Sequence, residues 1–426
     1  MPTRRDLSLQ VDDCVRAGAA VDALRGSVAL VRSAPHDFDA RLRAGDALVV
    51  AGRSSDAAQV YGFVLSEASA AGHPLLALVA LKALESLDVA ARALLPTFAS
   101  RYAAGSPSLG RAVRLGRPDP DAAIPPEAWA APGWDDAQVL AAATQVATSR
   151  AGLPVWSGAV PAIPLLSELP AEAFANVLGA VARRSLAAGE AVVREGDPGD
   201  AFFLLARGRV GVTRGAETLA TLEEGSVFGE MALLSAVPRT ATVTALEPAD
   251  VLVFGRAAMA AAARELPVVA AALERFMRQR LVQRLLDTHP MFAPFDASQR
   301  VQLGARFEGR NVQPGEVLLR EGAEGSGLHV VLSGAVKVTL RSVNGDVDIA
   351  ELGPGDVFGE ISLLEGVPVT ATVTASAAGV VLVLAGGVFR RLVDGVPGWR
   401  RYFEELADER RMDLRLSVPP AAAGWY

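Results

Sequence analysis

The sequence predicts a mixed α and β chain: an N-terminal α-helical region followed by two tandem β-barrels with flanking helices. Three observations predict it. GEAVVREGDPGDAFFLLARGRVGV (residues 189–212) lies over GEVLLREGAEGSGLHVVLSGAVKV (residues 315–338) at a constant offset of 126 residues. FGEMALLSAVPRTATV (228–243) then lies over FGEISLLEGVPVTATV (358–373) at an offset of 130, the extra residues falling around SVNGDVDI. The region before these repeats is rich in Ala and Leu and carries helical patterns instead. A period this long marks a duplicated domain rather than a solenoid unit.

Within each copy the pattern is β. AVVREG, AFFLLARG and RVGVTRG are short runs rich in Val and Phe and punctuated by glycine. Gly196, Gly199, Gly208 and Gly225 have glycine partners at 322, 325, 334 and 355, which suggests turns that need positive φ or little space. AEAFANVLGAVARR reads as an amphipathic helix before the first β runs. AAMAAAARELPVVAAALERFMRQRLVQRLLDTH reads as a longer one after them, broken or kinked at Pro267. The expected domains are therefore 161–288 and 289–412, with a flexible tail at 413–426.

Residues 1–105 read as a helical domain, with turn signals at SAPHDF, VAGRSSD and AAGHP. In ARLRAGDALVVAGRSSDAAQVYGFVL, Gly45, Leu48, Ala57 and Tyr61 fall at the spacing of small and aromatic positions in a tetratricopeptide helix pair. The region thus resembles that repeat, although the motif's Trp and closing Pro are missing. The resemblance implies a groove for a partner protein; the other reading is a helical bundle for packing or dimerisation. Residues 106–160 are rich in Pro and Gly and read as a linker with one short helix, DDAQVLAAATQVATSR.

Composition narrows the function classes. The 426 residues are 51% hydrophobic with a net charge of -7, enough to bury several cores and a poor match to broad binding of nucleic acid or anionic membrane. A lone cysteine, Cys14, allows no intrachain disulfide and no thiolate cluster, and His36, His73, His289 and His329 lack metal-ligand spacing. No metal is expected. MPTRRDLSLQ has no apolar run behind its arginines, and the longest apolar runs fall short of the roughly 18 residues that span a bilayer. A cytoplasmic protein is expected, and the Ala, Arg, Gly and Val bias hints at a bacterial source.

The candidate site is the segment that opens at Phe228. Gly229 and Glu230 follow a strand, a short helical stretch begins at Met231 and Ala232, and Arg239, Thr240 and Ala241 lead into the next strand. A strand-to-helix step after glycine exposes backbone N–H groups to an anion. The forked donors of Arg239 suit a phosphate. Glu230 would be repelled by that phosphate and is better placed to accept from a ribose hydroxyl. One phosphate beside a free sugar hydroxyl describes a cyclic nucleotide.

On these residues the segment resembles the phosphate-binding cassette of the cyclic nucleotide-binding domain family, and the resemblance covers about residues 163–410 in two copies. It implies jelly-roll-like barrels with cAMP or cGMP as ligand. It also implies Glu230 on the ribose, Arg239 on the phosphate, Gly229 for close backbone approach, and Thr240 near the base. The second copy keeps Gly359, Glu360, Ile361, Ser362 and Thr370 but has Val369 in place of the arginine. Removing one partner of a buried charge pair costs about 2–5 kcal/mol. That is roughly 30-fold to a few thousandfold in affinity, so the second site is expected to be degenerate.

The resemblance also implies that helices after the barrel close over the base, with Phe276 or a neighbour as a cap; Arg278, Arg280 and Arg284 read as a solvated face. The leading class is a non-enzymatic cyclic nucleotide receptor, with cAMP favoured over cGMP, that relays binding to a protein partner through residues 1–105; a homodimer is one assembly compatible with this reading. The alternatives are a structural adaptor with empty pockets and a receptor for another ligand such as a cyclic dinucleotide. A transcription factor would need a helix-turn-helix after a barrel, where only ELADERRMDLRLSVPPAAAGWY follows.

Overall fold

The computed structural model describes residues 1–88, 91–110, 116–129, 134–156, 158–230, 238–342 and 345–417, with the side chains of 413–417 excepted. The chain forms two compact units, Met1–Glu274 and Arg275–Tyr426.

The first unit opens with six helices: α1 (Arg4–Arg16), α2 (Ala20–Ser33), α3 (Phe38–Val50), α4 (Ser54–Ala70), α5 (Pro74–Ser86) and α6 (Leu95–Tyr102). Their starts follow local chemistry. Thr3 and Asp6 form a reciprocal capping box at α1, Asp37 accepts from the Ala40 amide at α3, and Pro74 opens α5, where no donor is lost. Helix α3 lies against α4 through Gly45, where a Cβ would stand 2.5 Å from the Tyr61 ring. Leu48, Ala57 and Tyr61 are all buried at this contact. The Tyr61 hydroxyl donates to Asp46 at 2.7 Å.

Residues 106–160, expected as a linker, pack on this helical arm where they are described. Helix α7 (Asp136–Ala147) buries Val139, Ala143 and Ala147, and Arg41 donates to the Ala147 carbonyl at 2.6 Å. Ile124 is fully buried, and the Arg4 amide donates to the Ala122 carbonyl at 2.9 Å. Pro and Gly content describes the backbone of this stretch and is blind to its apolar anchors.

Helix α8 (Ala171–Ala180) leads into eight strands: β1 (Ala182–Leu186), β2 (Ala191–Val193), β3 (Ala201–Arg207), β4 (Val210–Arg214), β5 (Glu217–Leu222), β6 (Val227–Phe228), β7 (Thr242–Ala245) and β8 (Ala249–Gly255). The helix stops short of Arg183 and Arg184 because those residues pair with β8 in β1. Two four-stranded antiparallel sheets, β1-β8-β3-β6 and β2-β7-β4-β5, enclose a core that includes Phe203, Leu205, Phe228 and Val251. Helices α9 (Arg256–Glu265) and α10 (Pro267–Thr288) follow, and Pro267 separates them by starting the second. The boundary between the units falls inside α10.

The second unit repeats the plan. Helix α11 (Ala297–Gly304) precedes β9 (Glu308–Val312), β10 (Val317–Leu319), β11 (Gly327–Ser333), β12 (Val336–Ser342), β13 (Gly345–Leu352), β14 (Val357–Phe358), β15 (Thr372–Ala375) and β16 (Gly379–Ala385). The sheets are β9-β16-β11-β14 and β10-β15-β12-β13, the same order as in the first copy. Helix α12 (Glu360–Glu365) lies between β14 and β15, and α13 (Gly386–Gly395) and α14 (Pro397–Ser417) end the described chain. Helix α14 thus runs into the stretch expected as a tail, and 418–426 lie outside the described residues.

Three of the four glycine pairs adopt positive φ, among them Gly208 and Gly334 at 82° each, where a Cβ would meet a carbonyl oxygen at 2.7 Å. Gly199 and Gly325 are not in that region. Gly325 is small for another reason: a Cβ there would stand 2.5 Å from Ser362 Oγ. Among the described residues no helix is long and apolar enough to cross a membrane.

Candidate functional site

In the first barrel Arg239 is held by its backbone and its head. Its amide donates to the Asp197 carbonyl at 2.8 Å, and its own carbonyl accepts from Gly196 at 2.9 Å. Nη1 donates to the Gly229 carbonyl at 2.9 Å and Nη2 to the Ala201 carbonyl at 2.8 Å. The guanidinium stands 5.5 Å from the centre of the Phe203 ring, which stacks on Phe228 with centroids 5.2 Å apart. Gly229 makes this possible: at φ 80° it turns its carbonyl inward, and a Cβ would lie 2.7 Å from Arg239 Nη1.

Arg239 is 7% exposed, and its Nε is buried with no hydrogen-bond partner. Among the described residues no carboxylate forms an ion pair with it. Burial pulls its pKa below the usual arginine value; Asp200, Asp197 and Glu230 oppose that from a distance, and Arg256 adds to it. Glu230 is half-buried, Ala241 is half-buried and Thr240 is exposed. Met231 and Ala232 lie outside the described residues.

The second barrel keeps the backbone of this arrangement and replaces its head group. The Val369 amide donates to Ala323 and its carbonyl accepts from Gly322, both at 2.8 Å, matching the ties of Arg239. The Val369 side chain is buried in a cluster with Leu319, Phe358 and Val373. Gly359 has φ 88° and opens α12. Glu360 is 1% exposed, and its Oε1 accepts from Arg410 Nη1 on α14 at 2.9 Å. Ser362 Oγ donates to the Gly359 carbonyl at 3.1 Å. Ile361 is buried and Thr370 is exposed.

Two residues that the sequence reading did not assign to the site shape this second one. His329 occupies the position of Phe203 and stacks on Phe358 with centroids 4.8 Å apart. Burial, with a smaller contribution from Arg310, pushes its pKa down to about 4, so the ring is neutral at pH 7. The repeat alignment itself signals it, since AFFLLARG lies over GLHVVLSG. Arg410, 50 residues from Glu360, gives no such signal. Phe276, read as a base cap, is buried in the second unit. No cluster of groups able to hold a metal ion occurs among the described residues.

Comparison with known proteins agrees with the duplicated domain. Residues 183–265 and 309–395 each match the family model of the cyclic nucleotide-binding domain, so the chain carries two tandem copies of it. The chain is 30% identical over 232 residues to the cAMP-dependent protein kinase regulatory subunit of Yarrowia lipolytica, covering 54% of this chain and 59% of that protein. It is 32% identical over 197 residues to the subunit of the same name from Dictyostelium discoideum, covering 44% and 58%. It is 29% identical over 260 residues to the cGMP-dependent protein kinase egl-4 of Caenorhabditis briggsae, covering 60% and 33%. The chain therefore spans less than two thirds of each of these relatives. Among solved structures, the regulatory domain of Toxoplasma gondii PKA with cAMP is 25% identical, covering 57% of this chain and 92% of that one, with a TM-score of 0.29.

Proposed function

We propose that the chain is a non-enzymatic cyclic nucleotide receptor whose first barrel binds the ligand and whose helical arm passes the signal to a protein partner. The observation that carries this is Arg239, a nearly buried cation held by two carbonyls and paired with no carboxylate among the described residues. A ligand phosphate supplies the missing charge, and charge-assisted hydrogen bonds to guanidinium are about twice as strong as neutral ones. Glu230, within electrostatic range of Arg239 but not paired with it, serves the ribose hydroxyl. cAMP is the favoured nucleotide, in keeping with the names of the Yarrowia and Dictyostelium relatives.

The arm contributes a partner surface of the tetratricopeptide-like kind, supported by the seating of Tyr61 over Gly45. The second barrel, with valine at the phosphate position, takes no cyclic nucleotide and acts as a transmitter. Calorimetric titration of cAMP and cGMP into the full chain tests the reading. One site, lost in Arg239→Ala and kept in Glu360→Ala, supports it. No heat and no thermal shift with either nucleotide would leave a structural adaptor as the better description.

A further inference from the structure

Asp12, Asp39 and Asp46 of the helical arm pair with Arg207 of the first barrel inside one compact unit. The barrel fold does not require this cluster. In the second barrel the positions of Arg183, Arg207 and Asp250 hold Gly309, Ser333 and Val380, and the strands keep the same register. The charges on β1, β3 and β8 are therefore extra to the barrel and serve its contact with the arm.

At the centre of the cluster two carboxylates compete for one N–H group. Arg207 Nε lies 3.2 Å from Asp39 Oδ1 on α3 and 3.2 Å from Asp250 Oδ2 on β8. It forms a well-directed hydrogen bond with neither, and all three atoms are buried with no hydrogen-bond partner. The other oxygen of each carboxylate is taken on its own side. Asp39 Oδ2 accepts from Arg43 Nη1 at 2.6 Å, and Asp250 Oδ1 accepts from Arg183 and Ser185. One N–H donates well to one acceptor at a time, and an unmet buried acceptor is costly. The side chain thus has two closely matched positions, one tied to the arm and one to the barrel. A cavity of about 470 Å³ that Asp39, Arg43 and Arg207 help to line leaves room for the small movement between them.

The strand that carries Arg207 also reaches the candidate nucleotide site. The Ala201 carbonyl at its start accepts from Arg239 Nη2 at 2.8 Å, and every residue from Ala201 to Arg207 is buried. At about 3.3 Å per residue the two ends lie roughly 20 Å apart. The strand pairs with β8 from end to end, so a phosphate that draws on the Arg239 guanidinium loads the backbone that holds Arg207.

We propose that Arg207 is a two-position switch, with its Nε–H on Asp39 when the arm is held fast and on Asp250 when the arm is loosened, and that nucleotide in the first barrel selects between them. Such a two-position element, biased from a distant site, is the physical requirement for coupling. The nucleotide half of the proposal rests on the reading of that barrel as a cyclic nucleotide site.

Hydrogen exchange of the full chain, read by mass spectrometry over α3, tests it in the unaltered protein, Asp39→Asn and Asp250→Asn, each with and without cAMP or cGMP. Either asparagine keeps its neighbours through the amide oxygen and turns its NH₂ towards Arg207. Without nucleotide, Asp250→Asn should slow exchange in α3 and Asp39→Asn should speed it, each at least threefold. An ordinary structural ion pair would lose protection in both. With nucleotide, α3 exchange should change at least threefold in the unaltered chain and stay constant in both variants, while calorimetry shows their nucleotide affinity within threefold of the unaltered value. Where Asp250→Asn unfolds the barrel as a whole, the nucleotide response of α3 and its loss in Asp39→Asn decide. Faster α3 exchange in both folded variants, or a nucleotide response that survives in either, would overturn the switch. Nucleotide that binds and leaves α3 unchanged would overturn its coupling to the site. If calorimetry shows no nucleotide binding, the reading of the first barrel fails, and the nucleotide-free comparison still decides whether Arg207 has two positions.

Discussion

Arg207 and Asp250 are direct partners across β3 and β8 and form an ion pair at 3.2 Å, with both residues buried. Neither is a simple barrel contact. Asp250 also accepts from Arg183 at 2.7 Å and from Ser185 at 2.6 Å on β1. On its other side Arg207 pairs with Asp39 at 3.2 Å and with Asp12 and Asp46 at 3.8 Å, all on helices of the arm. The same strand begins at Ala201, whose carbonyl holds the Arg239 guanidinium. One strand thus carries the anchor of the candidate phosphate cation at one end and the ionic seat of the helical arm at the other.

Removing Arg207 takes a partner from two buried carboxylates, Asp12 and Asp250, and from the half-buried Asp39 and Asp46; breaking a buried pair typically costs about 3–5 kcal/mol. Arg207→Met keeps the bulk of the side chain and removes the charge. Denaturant unfolding of the full chain should show the transition of the first unit moving to lower denaturant by an amount in that range. A loss below about 1 kcal/mol would mean that the remaining arginines, Arg43 and Arg183, already neutralise the cluster.

His329 gives the second unit a defined acid sensitivity. Its pKa is pushed down to about 4 from the ordinary 6.5. Above pH 6.5 the ring is neutral in both folded and unfolded chains, and pH has no leverage through it. As the pH falls from 6.5 towards 4 the unfolded chain binds a proton that the folded chain refuses, so stability declines, by roughly 3 kcal/mol at the limit. His329→Phe, which copies Phe203, should flatten this part of the curve while leaving the contribution of His289 in place. Equal slopes for the two proteins between pH 7 and 4 would contradict the assignment.

The duplicated frame was legible from sequence because it is written in residue identity: glycines at repeated positions, paired cassettes, and Val369 where Arg239 stands in the first copy. Gly45 and Tyr61 were legible for the same reason, since a small residue opposite an aromatic one implies the contact that the helices make. Arg410 and the Arg207 cluster were not. Their roles arise when elements distant in sequence meet, and an arginine on a polar helix face looks the same in a sequence whether it meets water or a buried carboxylate. The stretch 106–160 misled in the opposite sense, because Ile124 and Val139 anchor it to the arm through a few apolar contacts that its Pro and Gly content outweighs.

Gly229 and Gly359 share a backbone and should differ in consequence. Alanine at either is strained at positive φ. At 229 the new Cβ would lie 2.7 Å from Arg239 Nη1, a side-chain tip that moves aside. At 359 it would lie 2.8 Å from the Gly327 carbonyl oxygen, which is fixed in β11. Gly229→Ala should weaken cyclic nucleotide binding at least tenfold by displacing the guanidinium, and Gly359→Ala should leave that affinity unchanged while lowering the stability of the second unit. Comparable affinity in Gly229→Ala and the unaltered protein would show that the guanidinium position is not set by this carbonyl.

On the proposed reading, in which the second barrel does not hold a phosphate, two substitutions set it apart from the first, and phosphate binding there should need both reversed. Val369 stands in for the cation, and His329 for the phenyl ring that the cation covers. Val369→Arg alone places a guanidinium against an imidazole whose Nδ1 is buried without a partner. That nitrogen lies within 3.3 Å of where a Gly359 Cβ would sit, close to the carbonyl the arginine must reach. His329→Phe clears this polar edge and returns the stacking surface seen between Arg239 and Phe203, a contact of the kind worth about 0.5–2 kcal/mol. The double variant should therefore take a second cyclic nucleotide per chain in calorimetric titration. Val369→Arg alone should bind there at least several-fold more weakly, and His329→Phe alone should not bind there at all. If Val369→Arg alone matched the double variant, the histidine would be a neutral bystander, and the single valine would account for the whole difference between the barrels.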